Sequence, residues 1–214
     1  MGEMKERMLR GELYIADDED LAADFKRAQE ILERYNRSDF AEQDLRDQLL
    51  RELLAKCGEG VHIRPPFRLE YGTRVSIGAR TFFNYDCLML DVAPITIGAA
   101  CQVASRVQFI TATHPIDPEP RRIGWESAKP IVVGDNVWLS AGVIVCPGVT
   151  IGNDTVVGAG AVVTRDLSAG VVAMGVPARV VREIGEQDRI QIPQEPNVCS
   201  GQTAGKIVSA SQGN

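Results

Sequence analysis

The chain has 214 residues, 44% hydrophobic and 24% charged, with 20 Gly, 11 Pro and 6% aromatic residues, enough for one sizeable globular domain and a short appendage. A net charge of −6 and two His argue against a basic nucleic-acid face and a histidine-rich metal site. No apolar run approaches the roughly 18 residues of a membrane span, and the N-terminal MGEMKERMLRGELY lacks a signal peptide's apolar stretch, so a cytoplasmic protein is expected. Cys57, Cys87, Cys101, Cys146 and Cys199 form no C-x-x-C pair and read as small buried hydrophobes.

Residues 1–58 read as a helical segment. Leu21, Phe25, Ala28, Ile31, Leu32 and Tyr35 recur at steps of three and four, which predicts a helix from Asp20. Asp17, Asp18 and Asp20 stand where they cap its N-terminus. A second helix is predicted from about Asp39, with Leu45, Leu49, Leu53 and Leu54 on one side and Gly58 as its C-cap. Neither helix buries its stripe alone, so the pair is expected to pack on something larger.

Residues 59–186 carry a repeat. Aliphatic–Gly pairs fall at 77/78, 97/98, 133/134, 151/152 and 157/158, at offsets of 20, 36, 18 and 6. From Ile131 the frame runs unbroken as IVVGDN, VWLSAG, VIVCPG, VTIGND, TVVGAG and AVVTRD, its first positions aliphatic or small. A hexad supplies a short strand and a turn, and three hexads make a triangular coil. Stacked inward aliphatics fill a narrow core with little room for aromatics, and Gly and Asn are expected at corners of positive φ. An irregular loop, about 113–129, interrupts the coils. Residues 187–214 are polar and bear Pro, Ser and Gln, which predicts a disordered tail.

The hexads, with the segments MLRGELY, TATHPID, KPIVVGDNVWLSAGVIVCPGVTIG and GAGAVVTRDLSAGVVAMGVPARVVREI, make residues 8 to about 186 resemble the hexapeptide-repeat acyltransferases, in the maltose and galactoside O-acetyltransferase branch. The resemblance implies a mainly β fold, a left-handed parallel β-helix, and transfer of acetyl from acetyl-CoA to a sugar hydroxyl. It also implies a homotrimer with active sites between subunits, so that His114 and the CoA-binding residues face one another across an interface. Neither a metal nor a nucleic-acid or membrane partner is expected.

His114 lies in the long excursion, and excursions of that length from a repeat scaffold usually carry function. The resemblance puts the family's catalytic His there, as the general base that deprotonates the acceptor hydroxyl; His62, at the entry to the repeats, reads as structural. The resemblance also implies Asn84 in acceptor binding, with Tyr85 beside it and Asp91 a further polar residue of the same coil. Relatives carry an Asp soon after the aromatic of the GELY-like segment. This chain has Ile15 and Ala16 there, so Asp17 is the shifted candidate, with Asp18 beside it.

For acetyl-CoA, the resemblance implies Trp138, Ser140, Ala141, Ala159, Thr164, Arg165, Arg179 and Arg182. Arginines suit phosphates, and small residues let the pantetheine arm approach the backbone. A backbone amide near Ala141 or Gly142 is the expected oxyanion donor. No His–Asp pair is legible beside Ser140, which favours direct transfer over a covalent intermediate. Two alternatives stay open: an acetyltransferase for another hydroxyl (antibiotic, serine or nucleotide sugar), and a non-catalytic assembly module. The zinc-dependent carbonic anhydrases of the same fold need three His, and this chain has two.

Overall fold

A computed structural model describes residues 2–191 of the chain. Short parallel strands wind into a three-faced β-solenoid of five complete turns and the start of a sixth. The first face stacks Lys56–Cys57, Val75–Ile77, Ile95–Ile97, Ile131–Val133 and Thr150–Ile151, and Leu167 bridges to Ile151. The second stacks His62–Ile63, Phe82–Phe83, Gln102–Val103, Trp138–Leu139, Val156–Val157 and Val171–Met174, closed by the antiparallel strand Arg179–Glu183. The third stacks Arg68–Leu69, Leu88–Leu90, Gln108–Ile110, Ile144–Val145 and Val162–Val163.

The hexad frame explains the core. Its first and third positions both point inward, so Ile131 and Val133, Val137 and Leu139, and Val143 and Val145 are all buried. Phe83, Met89 and Phe109 fill the wider early coils. Inward polar residues are satisfied by the stacking itself. The Thr81 hydroxyl donates to the Gly98 carbonyl at 2.7 Å and accepts from the Cys101 amide at 3.0 Å.

Strand partners lie 18 residues apart late in the solenoid, as in Val132 with Thr150, but 20 apart early, as in Ser76 with Thr96. The extra residues all fall at the corner leading from the third face to the first of the next coil. That corner is widened at 70–74 and at 91–94. The separation of 36 between Thr96 and Val132 is one ordinary coil plus an excursion of about one coil's length at the same corner.

Gly142, Gly148, Gly160 and Asn136 hold the expected positive φ at their corners, but the glycines of the aliphatic–Gly pairs have a different cause. Gly78, Gly98, Gly134 and Gly152 are not at positive φ. A Cβ on Gly98 would come within 2.5 Å of the Gly134 backbone, and one on Gly78 within 2.5 Å of the Ala99 amide, so stacking of the coils excludes a side chain. Positive φ falls two residues later, at Arg80, Ala100, Asn136 and Asp154.

The N-terminal segment forms three helices: α1 (Glu3–Leu9), α2 (Glu19–Arg37) and α3 (Gln43–Leu53). Short, charged α1 has no apolar period long enough to be legible. Asp18 is the N-cap of α2, its Oδ1 accepting from the amides of Asp20 and Leu21, while its Oδ2 accepts from Lys5 in α1. Helix α3 ends at Leu53 with Leu54 extended; Gly58 is no C-cap but the first of the close-packed corner glycines. Phe25, expected in the buried stripe, is exposed, while Leu21, Ala28, Ile31, Leu32 and Tyr35 are buried.

Helix α2 covers the open edge of the first coil. The Tyr35 hydroxyl donates to the Ile63 carbonyl at 2.6 Å, the Asn36 amide nitrogen to the Phe67 carbonyl at 2.9 Å, and Gln29 to the Leu69 carbonyl at 3.0 Å. An edge that would otherwise pair with another chain is thereby occupied. This compact unit ends at Ile184. Of the unit that begins at Gly185, residues to 191 are described and hold the turn Glu186–Asp188. The rest of the expected tail lies outside the described residues. Among those described, no helix is long and apolar enough to cross a membrane.

Candidate active site

The excursion is more ordered than a loop. Ala112–Thr113 pairs antiparallel with Ser127–Ala128, and between them Asp117 caps the helix α4 (Pro118–Ile123), which Gly124 ends at φ +99. The register sets Ala112 opposite Ala128 and Thr113 opposite Ser127, so its continuation brings His114 opposite Glu126. The His114 Nδ1 lies 3.4 Å from the Trp125 carbonyl oxygen, and its Nε2 lies 3.9 Å from Glu126 Oε2. The His114 side chain is 57% exposed and that of Glu126 16%, so the ring opens outward above a largely covered carboxylate.

Glu126 is anchored from the N-terminal segment. The amides and carbonyls of Tyr14 and Glu126 exchange hydrogen bonds of 3.0 and 2.9 Å, and the buried Tyr14 hydroxyl donates to the Glu126 carboxylate. Burial, then the Glu126 charge, then that hydrogen bond push the phenol far above its usual range. GELY thus serves the site through its Tyr, which the sequence reading passed over. Glu126 was missed too; the signal that finds it is the hairpin register closing the strap.

At the widened corners, Asp91 is fully buried and accepts from the amides of Glu70, Tyr71 and Gly72 at 2.9, 3.0 and 2.7 Å. Burial raises this carboxyl while those amides oppose the rise. One coil on, the Thr111 hydroxyl does the same work, accepting from Ala93 and donating to Leu90. Asp91 therefore holds the corner rather than facing outward. Among the described residues no group of three or more His, Cys, Asp and Glu is arranged to hold a metal.

The remaining candidates cluster at a different corner, between the second and third faces. Asn84 stands there with its Oδ1 accepting from the Tyr85 amide at 2.9 Å, and Tyr85 is exposed beneath the Arg64 guanidinium, 5.1 Å from the ring. Tyr85, Asp86, Ser105, Arg106, Ala141 and Gly142 line an open groove of about 560 Å³. Trp138 and Ser140 lead into it on the second face, with Trp138 exposed, and Ala159 lies exposed one coil on. The Gly142 amide donates to the Ser105 carbonyl and is spent, whereas the Ala141 amide has no partner among the described residues.

Arg179 and Arg182 lie exposed on the closing antiparallel strand, and Thr164 and Arg165 follow the last strand of the third face. His114 is thus at one corner of its chain, while Asn84, Tyr85 and the groove are at another. At the N-terminus, Asp18 is committed to α1 and α2 and held below its usual value: desolvation opposes, but the amides of Lys5, Leu21, Asp20 and Met4 prevail. Asp17 is exposed. His62 stacks on Phe82 with centroids 5.8 Å apart, and burial together with Arg64 lowers its affinity for a proton, as suits a structural residue.

Two family descriptions match the chain: the maltose acetyltransferase hexapeptide capping motif at residues 7–58, and the bacterial transferase hexapeptide (six repeats) at 130–165. Nodulation protein L of Rhizobium meliloti (strain 1021) is 48% identical over 178 residues, which are 82% of this chain and 96% of that protein. The crystal structure of a maltose O-acetyltransferase from Clostridium difficile 630 matches with a TM-score of 0.83 and 39% identity, over 86% of this chain and 98% of that one. A galactoside acetyltransferase in complex with coenzyme A matches with a TM-score of 0.84 and 36% identity, over 86% of this chain and 92% of that one.

Proposed function

The chain belongs to the hexapeptide-repeat acetyltransferases, in the branch of the maltose and galactoside O-acetyltransferases, and on that premise we propose that it moves the acetyl group of acetyl-CoA onto a sugar hydroxyl. The observation that carries this reading is the near full-length match to a maltose O-acetyltransferase and to a galactoside acetyltransferase that binds coenzyme A.

His114 is the general base. With its Nδ1–H turned to the Trp125 carbonyl, Nε2 keeps its lone pair for the acceptor hydroxyl, and Glu126 Oε2 at 3.9 Å offsets the positive charge that the ring gains. The acceptor oxygen attacks the thioester carbon, the C–S bond breaks as the tetrahedral intermediate collapses, and the His114 proton goes to the departing thiolate of CoA. The unpaired Ala141 amide is the candidate donor to the oxyanion, a narrower assignment than Ala141 or Gly142.

Acetyl-CoA follows the corner of Trp138, Ser140, Ala141 and Ala159. Arg179, Arg182, Arg165 and Thr164 are the polar groups for its phosphates and adenosine end. His114 stands at a different corner from this groove, and that separation supports a homotrimer in which one chain's His114 serves the groove of the next. Asn84, Tyr85 and the exposed Asp17 are the acceptor candidates. Asp17 falls later than the family's acid, which favours screening acceptors broadly.

Thiol release from acetyl-CoA, measured with glucose, maltose, thiogalactosides, chloramphenicol and serine, tests the reading. A sugar is expected to be the best acceptor, and His114→Ala is expected to lower kcat by about 10²–10⁴ with CoA binding intact. Near wild-type turnover of that variant would overturn the mechanism, and turnover confined to chloramphenicol or serine would overturn the substrate class.

A further inference from the structure

Glu70 sits at the widened corner below the strap, and its carboxyl has no role in what has been described. Its Oε2 is sealed from solvent without a hydrogen-bond partner among the described residues. The groups around it come from five elements. Asp91 lies at the next corner, Glu126 on the strap and Tyr14 after α1, while Tyr71 and Arg74 share Glu70's own corner. Helix α2 adds Gln29, whose amide nitrogen reaches the Glu70 carbonyl at 3.3 Å, and Asp24, paired with Lys5 of α1 at 2.6 Å beside Tyr71.

Three carboxyls therefore lie close enough to feel one another's charge, and their partners are unequal. Asp91 has three backbone amides, and Glu126 has the Tyr14 hydroxyl and the His114 ring. The Arg74 guanidinium donates to the Val92 carbonyl and faces Asp91. No donor reaches Glu70 Oε2, so a charge there is the least compensated of the three, and an uncompensated buried charge is resolved by taking up a proton.

We propose that Glu70 is a positioning residue for the transfer, holding one proton on behalf of the three carboxyls so that the carboxylate beside His114 is Glu126 without the charge of Glu70 behind it. The proposal rests on His114 as the base. The proton exchanges with solvent and never enters the reaction. While Glu70 is neutral, Glu126 at 3.9 Å chiefly sets how strongly the His114 imidazolium is held. Once Glu70 ionises, the added negative charge holds the imidazolium more tightly and leaves less free base at a given pH. Burial, then Asp91, then Glu126 push Glu70 up to about 7, so the change of state falls near neutral pH.

Glu70→Gln in the full chain fixes the neutral state with the same shape. Its thermal midpoint is expected to exceed that of wild type by a gap that opens from about pH 4.5, widens by several degrees up to about pH 7, and then stays level. The sign follows from a folded-state value raised above the unfolded one, a contribution that is full in acid and lost as pH rises. In kcat/KM against pH, the variant is expected to keep its maximum within about threefold and lose an ionisation near 7.

A pH-independent midpoint gap, or superimposable profiles, would overturn the proposal. The midpoint gap needs no catalysis, so it stands even if His114→Ala retains turnover and the base assignment falls. Should the variant not fold, the carbon-13 resonance of the Glu70 carboxyl in otherwise native protein carries the test. Its titration is expected near 7 and lower in Glu126→Gln, whereas a midpoint near 4.3 in the unaltered protein refutes the idea.

Discussion

Glu126→Gln isolates the charge beside the proposed base. The amide keeps an oxygen for the Tyr14 hydroxyl and leaves the backbone bridge to Tyr14 untouched. Across 3.9 Å, a unit charge pair is worth about 4 kcal/mol at an effective dielectric constant of roughly 20. The imidazole is more than half exposed, and solvent screening reduces this to about 1–2 kcal/mol. The transition state carries the same positive ring, so kcat is expected to fall about 5–30-fold. Thiol-release kinetics between pH 5 and 9 at saturating acetyl-CoA make the measurement. A kcat within twofold of wild type would refute the electrostatic role, and a loss equal to that of His114→Ala would show Glu126 to be indispensable to placing the ring.

Further outcomes follow from the geometry. Gly98→Ala presses a Cβ against the Gly134 backbone at 2.5 Å and disturbs the Gly98 amide's bond to Val133, so it is expected to cost about 3–5 kcal/mol. Gly170→Ala meets nothing within 4 Å at φ +71 and is expected to cost about 1–2 kcal/mol. Equal losses in thermal unfolding would contradict the stacking account. Asp18→Ala removes acceptors from two helix N-termini and is expected to lower the melting temperature by about 5 °C. Asp17→Ala is expected to leave the melting temperature unchanged and raise KM for the acceptor; a melting loss in both variants would make Asp17 structural. Trp138→Ala is expected to weaken CoA binding about tenfold in calorimetry, and undiminished affinity would remove that ring from the cofactor groove.

The late coils were legible because Ile131 to Val163 obey one rule: residues one and three of each hexad point inward, and nothing intervenes. Between Ile77 and Ile97 the frame slips by two, and sequence spacing does not say which corner has absorbed the extra residues. The strap read as a loop because Ala112–Thr113 and Ser127–Ala128 are too short for any alternation to register. Glu126 was lost with that hairpin. His114 was visible by its isolation in the excursion, whereas Glu70 and Asp91 are brought together by coil stacking across 21 residues. Asp18 was legible as a cap, but its bond to Lys5 was not, because α1 itself was not.

The solenoid's departures from its period converge on one corner, and this determines where chemistry is possible. A regular coil satisfies its backbone from the coils above and below, leaving outward side chains in solvent and inward ones in an aliphatic core. Adding two residues to a corner frees the amides of Glu70, Tyr71 and Gly72 from that ladder, and a carboxylate must be buried to take them, as Asp91 is. A buried carboxylate raises the electrostatic cost of every further acid near it, which leaves Glu70 as the residue to hold a proton. The strap then returns over the same corner and sets Glu126 and His114 above that stack. An imidazole on a regular face of this solenoid would have only water beside it. At the broken corner it meets carboxyls that coil stacking has gathered, and the candidate site lies where the repeat rule fails because such groups are assembled there.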